Sequence, residues 1–214
     1  MEPAHPFTVG VTGHRPNRMA IGVPRIEARL NGLLRVLGRA ARDRRRGRPV
    51  AVSALAEGAD RLFASAALAL GYDLHAVLPF ATAEYETTFG DRSDTPAYHA
   101  LLARATMTRT LPGQLNATKA AYEAVGRATV DASDVMIAVW DGKPAAGRGG
   151  TPEIIDYALS CNVPVLWIDA ARDRPPRLLC WPSAGGLMAV PLARLAQRSR
   201  PFARHRLERL IGGG

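Results

Sequence analysis

The chain has 214 residues, 47% of them hydrophobic and 22% charged, with two cysteines and a formal charge of +9. That length holds one full-sized core with at most a small appendage, and the apolar content and cysteine count exclude a disordered chain and a disulfide-stapled secreted scaffold. The longest apolar stretch, Leu62 to Leu70, is far short of the roughly 20 residues that span a bilayer, so no membrane partner is expected.

Phe7 to Thr12 is a short β-branched run stopped by Gly13 and predicts a first buried strand. Pro24 opens a helix with Ile26, Leu30, Leu33, Leu34 and Leu37 on one face. Val50 to Ala54 is a second strand, followed by a helix from about Ala59 to Leu70 that Gly71 ends. Leu74 to Leu78 forms a third strand closed by Pro79. Two short helices at 82–90 and 96–105 flank a polar turn, and Met107 to Leu111 reads as a short strand. Lys119 to Val130 is helical and Val135 to Trp140 is a strong strand. A loop rich in Gly over 141–150 precedes a helix from Pro152 to about Ser160, and Val163 to Ile168 is a further strand. Continuous apolar strands alternating with helices predict an α/β fold, a three-layer sandwich around a mainly parallel sheet of about six to seven strands. After Asp169 the pattern gives way to Arg, Pro and Gly, so residues 1–170 are expected as the domain and 171–214 as a basic C-terminal extension.

The charge is divided unevenly. Residues 25–48 hold nine Arg against Glu27 and Asp43, and residues 171–214 hold nine Arg against Asp173 and Glu208, so each segment carries +7. Residues 49–170 carry −6. Nucleic acid is therefore a candidate partner of the Arg-rich flanks rather than of the body, and no aromatic residues interleave with the basic runs. Met1 to Pro6 shows neither a basic nor a long apolar signal segment, and Cys161 and Cys180 lack metal-ligand spacing, so a reducing cytoplasm is the expected location, with no metal and no cofactor.

In a parallel sheet of this kind ligands bind beyond the carboxyl ends of the strands, and the unusual residues gather there. Thr12, Gly13, His14 and Arg15 follow the first strand: Gly13 permits close backbone approach and Arg15 offers a planar anion-binding fork. Gly10 and Gly13 do not form the three-glycine dinucleotide fingerprint. Ser53, Glu57, Gly58 and Asp60 follow the second strand, where a hydroxyl and a helix start could face a phosphate, Glu57 and Asp60 could accept from ribose, and Asp60 could equally be a helix cap. Glu84 is placed at the mouth of the cleft, while Phe80 and Tyr85 read as core. The most specific group is Trp140 and Asp141, then Arg148, Gly149, Gly150 and Thr151, with Thr151 expected as N-cap and Pro152 at the first helical position. A cap does not explain two adjacent glycines, whereas an anion cradle at a helix start does, and the missing Gly-Lys-Ser/Thr excludes a Walker A loop.

Together these groups resemble the SLOG superfamily of Rossmann-like nucleotide-binding domains, which includes the Lonely Guy (LOG) phosphoribohydrolases, molybdenum cofactor carrier-like proteins and the DNA-processing protein A family. The resemblance covers about residues 7–170 and rests on Ser53 to Asp60 and on Gly149-Gly150-Thr151-x-Glu153. It implies cytoplasmic binding or sensing of a nucleotide or nucleotide-derived ligand of the ADP-ribose, NAD or nucleoside phosphate type, a homodimer, and a separate effector protein that reads the bound state. An alternative it implies is cleavage of the N-glycosidic bond of nucleoside 5′-monophosphates, with Glu153 as the catalytic residue. The LOG catalytic position is Ile154 here, so Glu153 would act from a helical face about 100° away. A third implied reading is single-stranded DNA binding.

Overall fold

The computed structural model describes residues 5–43, 47–90, 95–144, 150–180 and 188–191. In chain order the elements are β1 (Thr8–Gly13), α1 (Val23–Asp43), β2 (Val50–Ser53), α2 (Ala59–Ala69), β3 (Asp73–Leu78), α3 (Thr82–Glu86), α4 (Thr95–Leu102), β4 (Met107–Thr110), α5 (Thr118–Asp131), β5 (Val135–Trp140), α6 (Thr151–Ser160), β6 (Val165–Asp169), β7 (Arg177–Cys180) and β8 (Met188–Pro191). They build one sheet in the order β4-β3-β2-β1-β5-β6-β7-β8. The first six strands of that order are mutually parallel, while β7 pairs antiparallel with β6 and β8 antiparallel with β7. This is the expected Rossmann-like α/β architecture. The sheet runs past the boundary expected at residue 170, because Leu178 and Leu179 supply a short buried run within an otherwise Arg- and Pro-rich stretch.

The alternation of side chains along β5 shows how the layers form. Val135, Ile137 and Val139 join the larger core with Ile26, Leu30, Leu34 and Phe63 of α1 and α2. Met136, Ala138 and Trp140 point the other way, into a second core with Ile154, Ile155 and Ala158 of α6. All six residues of β5 are buried, which is why the strand reads as one continuous apolar run. Phe80 and Tyr85 are core residues, edge-on to Tyr98, Phe89 and Tyr122 rather than open for base stacking. Among the described residues no helix is long and apolar enough to cross a membrane.

Candidate functional site at the β1–β5 switch point

The chain winds outward from β1 through β2 and β3 to β4, then returns to place β5 on the other side of β1. The β1–β5 boundary is the topological switch point, the place where helices of a doubly wound sheet diverge and form a crevice beyond the strand ends. Gly13 closes β1 because a side chain there has no room: a Cβ would lie 2.5 Å from Ala59 Cβ and 2.9 Å from Val139 Cβ. The next residue, His14, is tied on both sides by its backbone, its N–H donating to the Val139 carbonyl (3.0 Å) and its carbonyl accepting from Ala59 N–H (3.1 Å). Its ring is thereby fixed in the crevice with 5% exposure.

Three segments meet at that ring. His14 Nε2 is 3.0 Å from Asp141 Oδ1, just after β5. His14 Nδ1 is 3.5 Å from Thr151 Oγ1, at the first residue of α6. Asp141 also accepts from Arg18 Nη2 (2.7 Å) and from Lys143 N–H (3.1 Å). Burial opposes ionisation of Asp141, but the hydrogen bonds from His14, Arg18 and Lys143 outweigh it and hold the carboxyl well below the usual carboxylate range. Burial lowers the His14 pKa; the Asp141 hydrogen bond works against that and the Arg18 charge adds to it. The pair thus rests as a carboxylate beside a neutral imidazole near pH 7.

Arg15 and Arg18 stand at the rim, their side chains 46% and 40% exposed. Arg15 Nη1 meets Glu57 Oε2 at 2.9 Å, and the same carboxylate accepts from Gly90 N–H. Arg18 has no sequence signal of its own. Only the turn at Pro16–Arg18, which brings its side chain back over the end of β5, reveals its role.

The group after β2 is organised differently. Ser53 is fully buried, its hydroxyl donating to the Asp60 carbonyl (3.2 Å) and accepting from Leu55 N–H (3.1 Å). Asp60 accepts from Ala54 N–H (3.2 Å), and burial pushes its carboxyl up to about 7. Leu55 adopts φ +56°, and its carbonyl accepts from Arg61 Nε (3.0 Å). Gly58 has φ +90°, and a Cβ there would lie 2.6 Å from the His14 carbonyl and 2.9 Å from Arg15 Cα. The start of α2 is therefore stoppered by the β1 loop, with Ala59 N–H already spent on His14.

Other expected residues fall into place around this frame. Thr12 is half-buried at the end of β1. Trp140 is buried on the α6 side and its indole N–H donates to the Lys143 carbonyl (2.8 Å). Gly150, not Thr151, is the N-cap of α6, and Thr151 is the first residue of the helix. A threonine whose hydroxyl lies toward His14 does not cap its own helix, which corrects the expectation from sequence. Glu153 sits half-buried on the first turn, and Ile154 is 3% exposed in the core against Gly126 of α5. Glu84 is exposed on α3, and among the described residues its carboxylate makes no hydrogen bond or ion pair. Arg148 and Gly149 lie outside the described residues.

No family model and no curated protein sequence matches the chain. Among solved structures, it is similar to DNA processing protein A from Streptococcus pneumoniae, with TM-score 0.53 and 18% identity over 76% of this chain and 50% of that one. It is similar also to DNA processing protein A from Helicobacter pylori, described for its single-stranded DNA binding mode, with TM-score 0.52 and 17% identity over 76% of this chain and 65% of that one. The chain spans half the length of the first and about two thirds of the second. At 17% and 18% identity the likeness is one of fold, the α/β arrangement around a mainly parallel sheet expected from the sequence.

Proposed function

We propose that the crevice at the ends of β1 and β5 binds a phosphorylated, nucleotide-type small molecule, with its anion at the start of α6. One arrangement carries this reading: the switch point of a parallel sheet receives a helix start capped by a bare glycine, Gly150, with the half-exposed guanidinium groups of Arg15 and Arg18 on the facing loop. Thr12, Gly13 and His14 form the floor, and Glu57, in contact with Arg15, and Glu153, on the first turn of α6, are the carboxylates offered to ribose hydroxyls. Ser53, Gly58 and Asp60 serve this site by holding the β2–α2 corner against the β1 loop. The buried position of Ile154 supports binding over LOG-type hydrolysis, since the residue aligned with the LOG acid faces the core.

Titration calorimetry with AMP, ADP-ribose and NAD tests the reading. Gly150 has φ −87° and ψ 163°, which any residue adopts, and aspartate is a better N-cap than glycine. Gly150→Asp therefore keeps α6 intact while placing a negative charge at the anion position, and nucleotide binding is expected to vanish. Wild-type protein that binds none of the three, or a Gly150→Asp variant that binds as wild type does, overturns it.

A second reading has one observation in its favour. Arg35, Arg39 and Arg42 are exposed on α1 at helical spacing, so they form a basic stripe, and a solved protein of similar fold is described as binding single-stranded DNA. Oligonucleotide binding by that stripe requires an affinity that falls steeply with salt and drops in an Arg35→Glu, Arg39→Glu double variant.

A further inference from the structure

Asp141, His14 and Thr151 stand in the order carboxylate, imidazole, hydroxyl, at 3.0 and 3.5 Å, and come from three separate segments of the chain. All are buried: His14 is 5% exposed, Thr151 8%, and the Asp141 side chain 8%. Asp141 cannot swing away, because Arg18 and Lys143 N–H fix its other contacts. The Asp141 carboxylate 3.0 Å from Nε2 favours the tautomer that carries its hydrogen on that nitrogen, which leaves the Nδ1 lone pair toward Thr151. Thr151 is the first helical residue and not the N-cap, and the hydrogen-bond partner of its hydroxyl among the described residues is His14 Nδ1. A separation of 3.5 Å is long for a hydrogen bond, and a nucleophile–base pair commonly shows such a spacing before substrate draws it together.

We propose that Thr151 is a nucleophile, His14 its general base and Asp141 the residue that orients and stabilises the imidazole, acting on a carboxylic ester carried by the anionic ligand. This rests on the switch-point crevice being the ligand site. Thr151 Oγ bonds to the acyl carbon while its proton moves to His14 Nδ1, and Asp141 stabilises the imidazolium. The tetrahedral intermediate collapses, the ester C–O bond breaks, and the leaving alcohol takes the proton from Nδ1. Water then attacks the acyl-threonine, giving its proton to Nδ1, which returns it to Thr151 Oγ as the acid leaves. The balance is ester plus water to acid plus alcohol. Thr151 lies at the start of α6 on the carboxyl edge of the sheet, where parallel sheets receive their ligands.

The full chain treated with an alkyl fluorophosphonate tests the step, because Oγ–P formation with loss of fluoride needs the same proton transfer to Nδ1. Peptide mass spectrometry is expected to find one adduct, on Thr151, and His14→Gln is expected to slow it about 100-fold or more. Thr151→Ser is expected to label at least as fast as wild type, which a purely structural hydroxyl would not do. The labelling rate should rise with pH as His14 loses its proton. An unmodified Thr151 in folded wild-type protein overturns the proposal, as does labelling at an unchanged rate in folded His14→Gln. Calorimetry on the same wild-type sample separates the two readings: nucleotide binding without an adduct removes only the relay, whereas an adduct without nucleotide binding removes the ligand assignment.

Discussion

The corner after β2 and the crevice between β1 and β5 carry the same kinds of residue, and the fold uses them in opposite ways. Each has a glycine at a helix start, a small hydroxyl, an acidic side chain and an arginine. After β2 the polar atoms bond to backbone a few residues away: Ser53 to Asp60 and Leu55, Asp60 to Ala54, Arg61 to Leu55. At the switch point they bond across the fold, His14 to Asp141 and Thr151, Arg18 to Asp141. The first pattern finishes a loop. The second joins three segments around a crevice whose rim keeps two arginines in contact with water. A glycine before a helix is thus ambiguous from sequence, because it can make room for a ligand or for another piece of the same chain.

The sharpest way to break this contrast is at Gly58. Gly58→Ala forces a side chain into φ +90° and against the His14 carbonyl, so a loss of roughly 3 kcal/mol in denaturant unfolding is expected. A loss below about 0.5 kcal/mol would show that the stopper over α2 is loose and that its helix start is open to ligand after all. Next in size is Asp141→Ala, which takes the carboxylate away from the buried His14 ring, while Arg18, 40% exposed, turns to water. Leaving a buried polar group unsatisfied costs about 1–3 kcal/mol, and the variant is expected to lose stability toward the lower end of that range. Stability unchanged in Asp141→Ala would mean the three segments are held together by the apolar core alone.

The two regions should also titrate in opposite directions. Asp60 has a raised pKa, so its contribution is full below 3.8 and is lost as pH rises through about 7. His14 has a lowered pKa, so its contribution is full above 6.5 and is lost as pH falls through the folded-state value. Thermal melts from pH 4 to 8 are expected to show Asp60→Asn removing the decline toward pH 7 and His14→Gln removing a decline on the acid side. Both variants following the wild-type pH curve would show that neither group is desolvated as described.

How much of this the sequence revealed depends on the range of the interaction. Strands such as Val135–Trp140 were legible because burial on both faces demands an unbroken apolar run, and the α1 face was legible because helical packing demands its spacing. Arg18 was not legible, since its partner Asp141 lies 123 residues away and nothing local marks it. Thr151 looked like a cap because Thr-Pro at a helix start has that meaning locally, and a contact with residue 14 redirected it. β7 was missed because only Leu178 and Leu179 of its four residues are buried, too few to set a period.

The smallest effect is expected where the comparison is most exposed to failure, at Gly150. Its φ of −87° and ψ of 163° lie in the extended region open to any residue, so Gly150→Ala meets none of the backbone strain that condemns Gly58→Ala. What it loses is the modest advantage of glycine over alanine as an N-cap, worth well under about 1 kcal/mol. Denaturant unfolding should therefore separate the two glycines by roughly 2 kcal/mol, although both precede a helix on the same edge of the sheet. Anion affinity should respond in the opposite sense, falling with Gly150→Ala as the added Cβ crowds the helix start. Equal stability losses at both positions would mean that Gly150, like Gly58, is there for packing, and the case for a ligand at the start of α6 would go with it.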